Sequence, residues 1–287
     1  MSRFEKLSRS GVVWILIASF LFSVMGVMVK LGASQFTTAE LLFYRCAASL
    51  VVMGGVVWYQ GYSLRTGQLK KQLSRSISGT VSMMFYFYAI SHLPLGTAFT
   101  LNYTSPMFLA ALSTLYLHER FNSKLLGSII AGFAGVALLL HPTFEQSQWL
   151  AGVSGLLSGL LSAVAYLNVR LLSQAGEPDW RTVFYFSLIS TLVGFVWMMT
   201  GPLHAIDGRG LLIIVGMGVT ATLAQLALTR AYRTGKPLVM ASLAYSTVLF
   251  STFFGMVFWH DRHPTTAYLA IMLIIGAGVV AVMNGRR

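Results

Sequence analysis

Two short stretches set a histidine, an acid and an arginine side by side at the end of a long apolar run: "YLHERF" at 116–121 and "FWHDRH" at 258–263. A His beside a carboxylate can serve as an acid–base pair or as part of a metal site, so His118, Glu119 and Arg120, with His260, Asp261 and Arg262, are the first candidates for chemistry. The spacing fits neither role well. Nothing here matches H-E-x-x-H, and one His next to one acid is a poor metal site. The simpler expectation is structural, with the acid accepting hydrogen bonds from helix ends while the Arg reaches headgroups or a carbonyl. A gate that pairs and unpairs is the alternative. No metal or cofactor is expected.

Charges inside apolar runs are sharper pointers, because one at the centre of a membrane helix costs about 2.5 to 3.5 kcal/mol on insertion scales. Arg45 lies inside an apolar run, roughly 10 Å from its outer end, and must face protein or a watered cavity. Lys30 is nearer an end and can snorkel. Deep polar and aromatic residues complete the candidate substrate-binding set with Arg45: Tyr86, Asn102, Tyr103, Tyr166, Asn168, Tyr185, Gln225 and Tyr245. Buried amides and phenols need partners, which a cavity supplies as water or ligand. Each also has a plainer role as a hydrogen bond between helices. The acids and histidines all fall in loops or near the ends of apolar runs, so no proton relay is legible unless Glu40 serves. A neutral, zwitterionic or anionic solute is expected over a purely cationic one, which would find no counter-charge.

The elements that position these residues follow from composition. With 56% hydrophobic and 10% charged residues, the chain of 287 lies far from soluble usage. Ten apolar segments are each long enough to cross a bilayer as helices: 11–31, 38–59, 77–93, 96–117, 125–141, 150–172, 182–200, 211–229, 238–259 and 266–284. They lack the alternation of a barrel strand, so the expected fold class is an all-α polytopic membrane protein. The first span is too long for a signal peptide. Cys46 is the only cysteine and falls inside span two, where packing is its expected role.

The net charge of +12 could suggest nucleic acid. Its placement says otherwise. With the N-terminus in the cytoplasm, Arg209 and Arg262 fall outside, Lys30 and Arg45 lie in spans, and the rest of the 20 Lys and Arg collect in cytoplasmic segments, Arg75 among them. That asymmetry is the positive-inside rule; it predicts both termini cytoplasmic and no nucleic-acid partner.

The doubled motif extends into a repeat. At an offset of about 142 residues, Ala89, Leu101, Tyr103, Phe108, His118, Arg120 and Ile129 fall on Ala231, Leu243, Tyr245, Phe250, His260, Arg262 and Ile271. Each copy holds five spans, and an odd number puts the second copy into the bilayer from the opposite side. The loops agree: "SHLPLGT" carries no Lys or Arg, while its equivalent "TRAYRTGKP" carries three. The expected organisation is a cytoplasmic tail at 1–10, a first repeat at 11–141, a second, inverted repeat at 150–284 and a cytoplasmic tail at 285–287. Inverted repeats offer two near-equivalent conformations, one open to each side, which is the basis of alternating access.

The ten-span pattern, the "LHER" and "WHDR" ends, "LGTAFTLNYTSPMFLAALSTLYLHERF" and "GFAGVALLL" resemble the EamA branch of the drug/metabolite transporter superfamily over nearly the whole chain. The resemblance implies a transporter of small organic solutes in the bacterial inner membrane, with spans one to four and six to nine around a central cavity and spans five and ten to the side. The second copy departs from the first in having Val248 where Pro106 stands, so a kink in span four is expected to lack a counterpart in span nine. The functional expectation is an alternating-access transporter for an amino acid, vitamin, nucleoside or similar metabolite. A flippase for a lipid or lipid-linked intermediate is the alternative. No cluster of acids, His or Cys suggests an enzyme, and a homodimer through spans five and ten is conceivable.

Overall fold

The computed structural model describes the backbone of residues 3–93, 95–116, 123–140, 148–260 and 265–284, and the side chains among these except at 3–10, 90, 91, 95 and 96. Within them the chain forms helices α1 (Arg3–Gly32), α2 (Thr38–Tyr59), α3 (Leu69–His92), α4 (Leu95–Asn102), α5 (Ser105–Tyr116), α6 (Ser123–Leu140), α7 (Trp149–Gln174), α8 (Asp179–Met198), α9 (Gly208–Thr234), α10 (Pro237–Ala244), α11 (Ser246–Trp259) and α12 (Thr266–Asn284). No strand occurs among the described residues. Eight of the helical segments, α10 and α11 counting as one, are long and apolar enough to cross a membrane. Of the doubled motif, only His260 lies within the described residues, as the left-handed residue that closes α11 (φ 56°).

Local sequence explains where several helices begin. Thr37 caps α2 through a capping box with Glu40: the Glu40 amide donates to Thr37 Oγ1 at 3.3 Å, and the Thr37 amide donates to Glu40 Oε2 at 2.7 Å. Asp207 caps α9, its Oδ1 accepting from the Gly210 amide at 2.6 Å. Pro237 opens α10 at a position where its missing N–H is no loss.

Two expectations need correction. Charge marked the expected ends of spans three and eight at 77 and 229, yet α3 starts at Leu69 and α9 runs to Thr234. One face of the added turns is buried inside protein, with Gln72 and Ser76 fully buried, Arg75 2% exposed and Tyr232 1%, while Lys70 and Arg230 on the other face are exposed. Arg75 faces other helices, so it does not stop the helix as it would against lipid.

The kink expected in span four alone is present in span nine as well. Span four breaks between α4 and α5, where Thr104 N bonds Leu101 O and Met107 N bonds Thr104 O, both one residue shorter in reach than the α pattern. Pro106 has no N–H to give there. Span nine breaks at Tyr245, with Val248 N bonded to Tyr245 O at 3.0 Å and no proline involved. Packing holds this second break. The Tyr245 side chain is fully buried and lies on Gly132 of α6, where a Cβ would come within 2.6 Å of Tyr245 Cδ2.

The bundle is built from paired helices. α1 packs along α9, α3 along α7, α2 along α8 and α6 along α12, while α5 and α11 lie on α7 and α1 respectively. Close approach depends on small residues such as Gly155 and Gly159: a Cβ on Gly159 would sit 3.0 Å from the Leu101 carbonyl. Large apolar side chains such as Val51, Trp58, Leu212 and Met272 point outward and are exposed, the reverse of a soluble protein and the arrangement that lipid requires.

Candidate functional site

One face of α3 organises the middle of the bundle. Arg75, Gly79, Met83 and Tyr86 recur at helical spacing and so share that face. The Arg75 guanidinium lies 4.0 Å from the centroid of the Phe186 ring on α8, and its Nη2 donates to Gln225 Oε1 on α9 at 3.2 Å. Gly79 makes the room: a Cβ there would come within 2.7 Å of Arg75 Nη1. The Arg75 Nε is buried with no hydrogen-bond partner. From α2, Arg45 reaches the same face and contacts the Met83 sulfur, a weak acceptor, through Nη1. Arg45 is 9% exposed.

Tyrosines continue the cluster. Tyr166 of α7 lies within electrostatic reach of both guanidiniums. Its ring stacks on Tyr232 of α9, with centroids 5.2 Å apart and planes 12° apart. Tyr103 meets Tyr245 at 6.2 Å, and Tyr86 lies 5.7 Å from Phe99. The Tyr103 hydroxyl bonds to Thr247, whereas the Tyr245 hydroxyl is buried without a partner.

Of the residues singled out from sequence, Arg45, Tyr86, Tyr103, Tyr166, Gln225 and Tyr245 therefore come together. The other three lie elsewhere in the packing. Asn102 donates to Ser158 Oγ at 2.9 Å, joining α4 to α7. Asn168 donates to Ser74 Oγ at 3.1 Å and to the Val164 carbonyl, joining α7 to α3. The Tyr185 hydroxyl donates to the Leu64 carbonyl at 3.0 Å and ties α8 to the loop before α3. Lys30, expected to snorkel, sits with Nζ 3.9 Å from the Trp259 ring centroid.

Arg75, Phe186 and Tyr232 belong to the cluster and were not singled out from sequence. A signal for two of them existed. The run "SRSISGT" contains no proline, and its one turn-prone pair, Ser78-Gly79, leads straight into the apolar "TVSMMFYFYAI", so it continues a helix, and nothing interrupts α9 before Gly235–Lys236–Pro237.

The bundle ends are closed by loops pinned to helix starts. Glu40, fully buried, accepts from the His204 amide at 2.7 Å and lies 2.9 Å from His204 Nδ1, anchoring the α8–α9 loop. At the other end Glu177 accepts from Thr66 at 2.5 Å and from Arg181 at 2.8 Å. Burial alone would raise the Glu177 pKa, but the hydrogen bonds from Thr66, Arg181 and Gln72 and the Arg181 charge outweigh it and hold the carboxyl below its ordinary range.

A bundle of membrane-length helices around buried cations and tyrosines defines a multi-pass membrane protein. The profile of the EamA-like transporter family matches residues 9–141. The pseudopaline exporter of Pseudomonas aeruginosa is 31% identical over 271 residues, 94% of this chain and 95% of the exporter. An uncharacterized transporter of Helicobacter pylori is 27% identical over 94% of this chain and 93% of its own length. A riboflavin transporter of Rhizobium johnstonii is 22% identical over 96% and 92%. A solved crystal structure superposes with a TM-score of 0.87 over 98% of this chain and 99% of its own, at 18% identity, which shows a shared fold alone. The chain belongs to the EamA-like transporter family, within the drug/metabolite transporter superfamily. It is a multi-pass membrane transport protein.

Proposed function

We propose that this protein moves a small organic metabolite, such as an amino acid, a vitamin or a nucleoside, across the bacterial inner membrane by alternating access. Residues 11–141 and 150–284 act as two inverted five-helix repeats, with both termini in the cytoplasm and the solute held near the midplane by Arg45 and the tyrosine cluster. One observation carries the reading. Exchanging α1–α6 for α7–α12 turns the α1–α9 pairing into α7–α3, turns α11 on α1 into α5 on α7, and leaves α2–α8 and α6–α12 as they are. Two halves that exchange contacts in this way and lie inverted in the bilayer would have a second conformation of similar energy, opening to the other side, which is what supports the reading. The relatives named for pseudopaline and for riboflavin support a solute cargo.

The test is a thermal-shift screen of the purified protein against amino acids, vitamins, nucleosides and organic acids, followed by flux of each hit in liposomes. Saturable flux of a hit that Tyr103→Ala and Tyr245→Ala both abolish supports the reading. Movement of a fluorescent lipid with no flux of any soluble hit overturns it.

A further inference from the structure

Among the described side chains, neither buried guanidinium of the central cluster has a carboxylate partner, and each of the four acids is engaged elsewhere: Glu40 with Thr37 and His204, Glu177 with Thr66, Gln72 and Arg181, Asp179 with Arg230 and Arg233, and Asp207 with Gln35 and the Gly210 amide. What Arg75 and Arg45 do touch is neutral: an amide oxygen, a ring face and a thioether. An arginine presents five donors in a planar fork suited to a carboxylate, and these two leave most of that capacity unused. Like charges brought together in a low dielectric repel, so the arrangement is unfavourable until an anion enters.

The spacing is informative too. Arg75 Nη1 lies beside Gly79, and Arg45 Nη1 lies at Met83, four residues further along α3. Both guanidiniums therefore lie against the same face of α3, at side chains one helical turn apart in sequence. Tyr166 is within reach of both guanidiniums, and Tyr103 is within reach of Tyr166.

From this we infer that Arg75 and Arg45 form a two-point anion site for an organic solute with two carboxylates, with Tyr166 and Tyr103 beside its carbon skeleton. The inference rests on the transport reading and narrows it to dianionic or dicarboxylate-bearing zwitterionic cargo. In this arrangement the carboxylates of the solute supply the counter-charge that no described acid side chain gives the pair. A guanidinium fork on each carboxylate fixes orientation as well as charge.

The test measures binding to the full-length detergent-purified protein by isothermal calorimetry. The probes are succinate, glutarate, adipate and phenylsuccinate, each beside its own neutral diamide. At least one acid binds more tightly than its diamide by roughly tenfold or more, the range of a charge-assisted hydrogen bond. Arg45→Gln and Arg75→Gln each remove that preference, while exposed Arg65→Gln keeps it. Arg45→Lys and Arg75→Lys retain the charge needed for folding but lose the fork, and each weakens the acid roughly tenfold without changing the diamide. No acid binding better than its diamide, or lysine variants that bind the acid as well as the native chain does, overturns the inference. Neutral solutes crossing liposomes at rates untouched by Arg45→Gln and Arg75→Gln would also sink it while leaving the transport reading intact. Acid binding without flux of any solute would sink the transport reading alone.

Discussion

The rings of Tyr103 and Tyr245, which stand at equivalent places in the doubled sequence, meet each other with centroids 6.2 Å apart and planes 54° apart. Each tyrosine stands where its span is broken, between α4 and α5 and between α10 and α11. The break, the ring and the cluster are therefore one feature, since a helix interrupted at that depth exposes backbone only where protein or a cavity can satisfy it.

The Tyr245 hydroxyl is buried with no partner. Leaving such a group unpaired costs about 1–3 kcal/mol. Tyr245→Phe is thus expected to hold or raise the melting temperature of the purified protein while lowering solute flux. A variant less stable than native, with flux unchanged, would show that the hydroxyl has a structural partner and no part in binding.

Gly79 is the space into which the Arg75 guanidinium fits. A Cβ there would lie 2.7 Å from Arg75 Nη1 and 3.1 Å from Phe186 Cε2. Gly79→Ala should cost about 1–3 kcal/mol by overpacking, and it should weaken ligand binding along with stability. The same substitution at Gly54, with open space around it, should leave both measurements nearly unchanged.

Much of the bundle is legible in sequence because lipid selects for long apolar runs, and most of the ten spans coincide with helices. The misplaced ends lie in turns with one face against protein. Arg75 is buried there among other helices, and Tyr232 follows the exposed Arg230, so a rule that reads charge as the end of a helix stops too early. The repeat brings Tyr103 and Tyr245 to notice. Sequence cannot separate Asn102 and Asn168, which tie helices together, from Gln225, which holds Arg75, because an amide serves either purpose and only the neighbouring helix decides. Nor does the lone Pro106 predict two broken spans, since the second break depends on Tyr245 packing against Gly132.

Glu40 ties the start of α2 to the α8–α9 loop through His204 as well as capping the helix. Glu40→Ala loses the reciprocal half of the capping box, the bond from the Thr37 amide, together with the tether, while Thr37 Oγ1 still accepts from the amide of residue 40. A double-mutant cycle of Glu40→Ala with His204→Ala is expected to show coupling of about 0.5–3 kcal/mol. Strictly additive effects would mean that the two ends of that contact act independently.

Glu177 gives stability a pH dependence of known sign. Its carboxyl titrates lower in the folded chain than its ordinary value of 4.5, so its contribution is fully present above that value and is lost as pH falls through the lowered native value. Melting temperatures of native protein and Glu177→Gln between pH 7 and pH 3 should converge toward the acid end. A gap that stays constant or widens on acidification would contradict this assignment.

Side-specific labelling reads out whether the two five-helix repeats are inverted in the bilayer. Cys46 is buried and is the only native cysteine, so Cys46→Ser gives a clean background for single cysteines at His92, after span three, and at Thr234, after span eight. With a membrane-impermeant maleimide on intact spheroplasts, His92→Cys is expected to label directly and Thr234→Cys only after permeabilisation. Labelling of both positions from the same side would mean that the two halves run in parallel, and alternating access through inverted repeats would then be untenable for this chain.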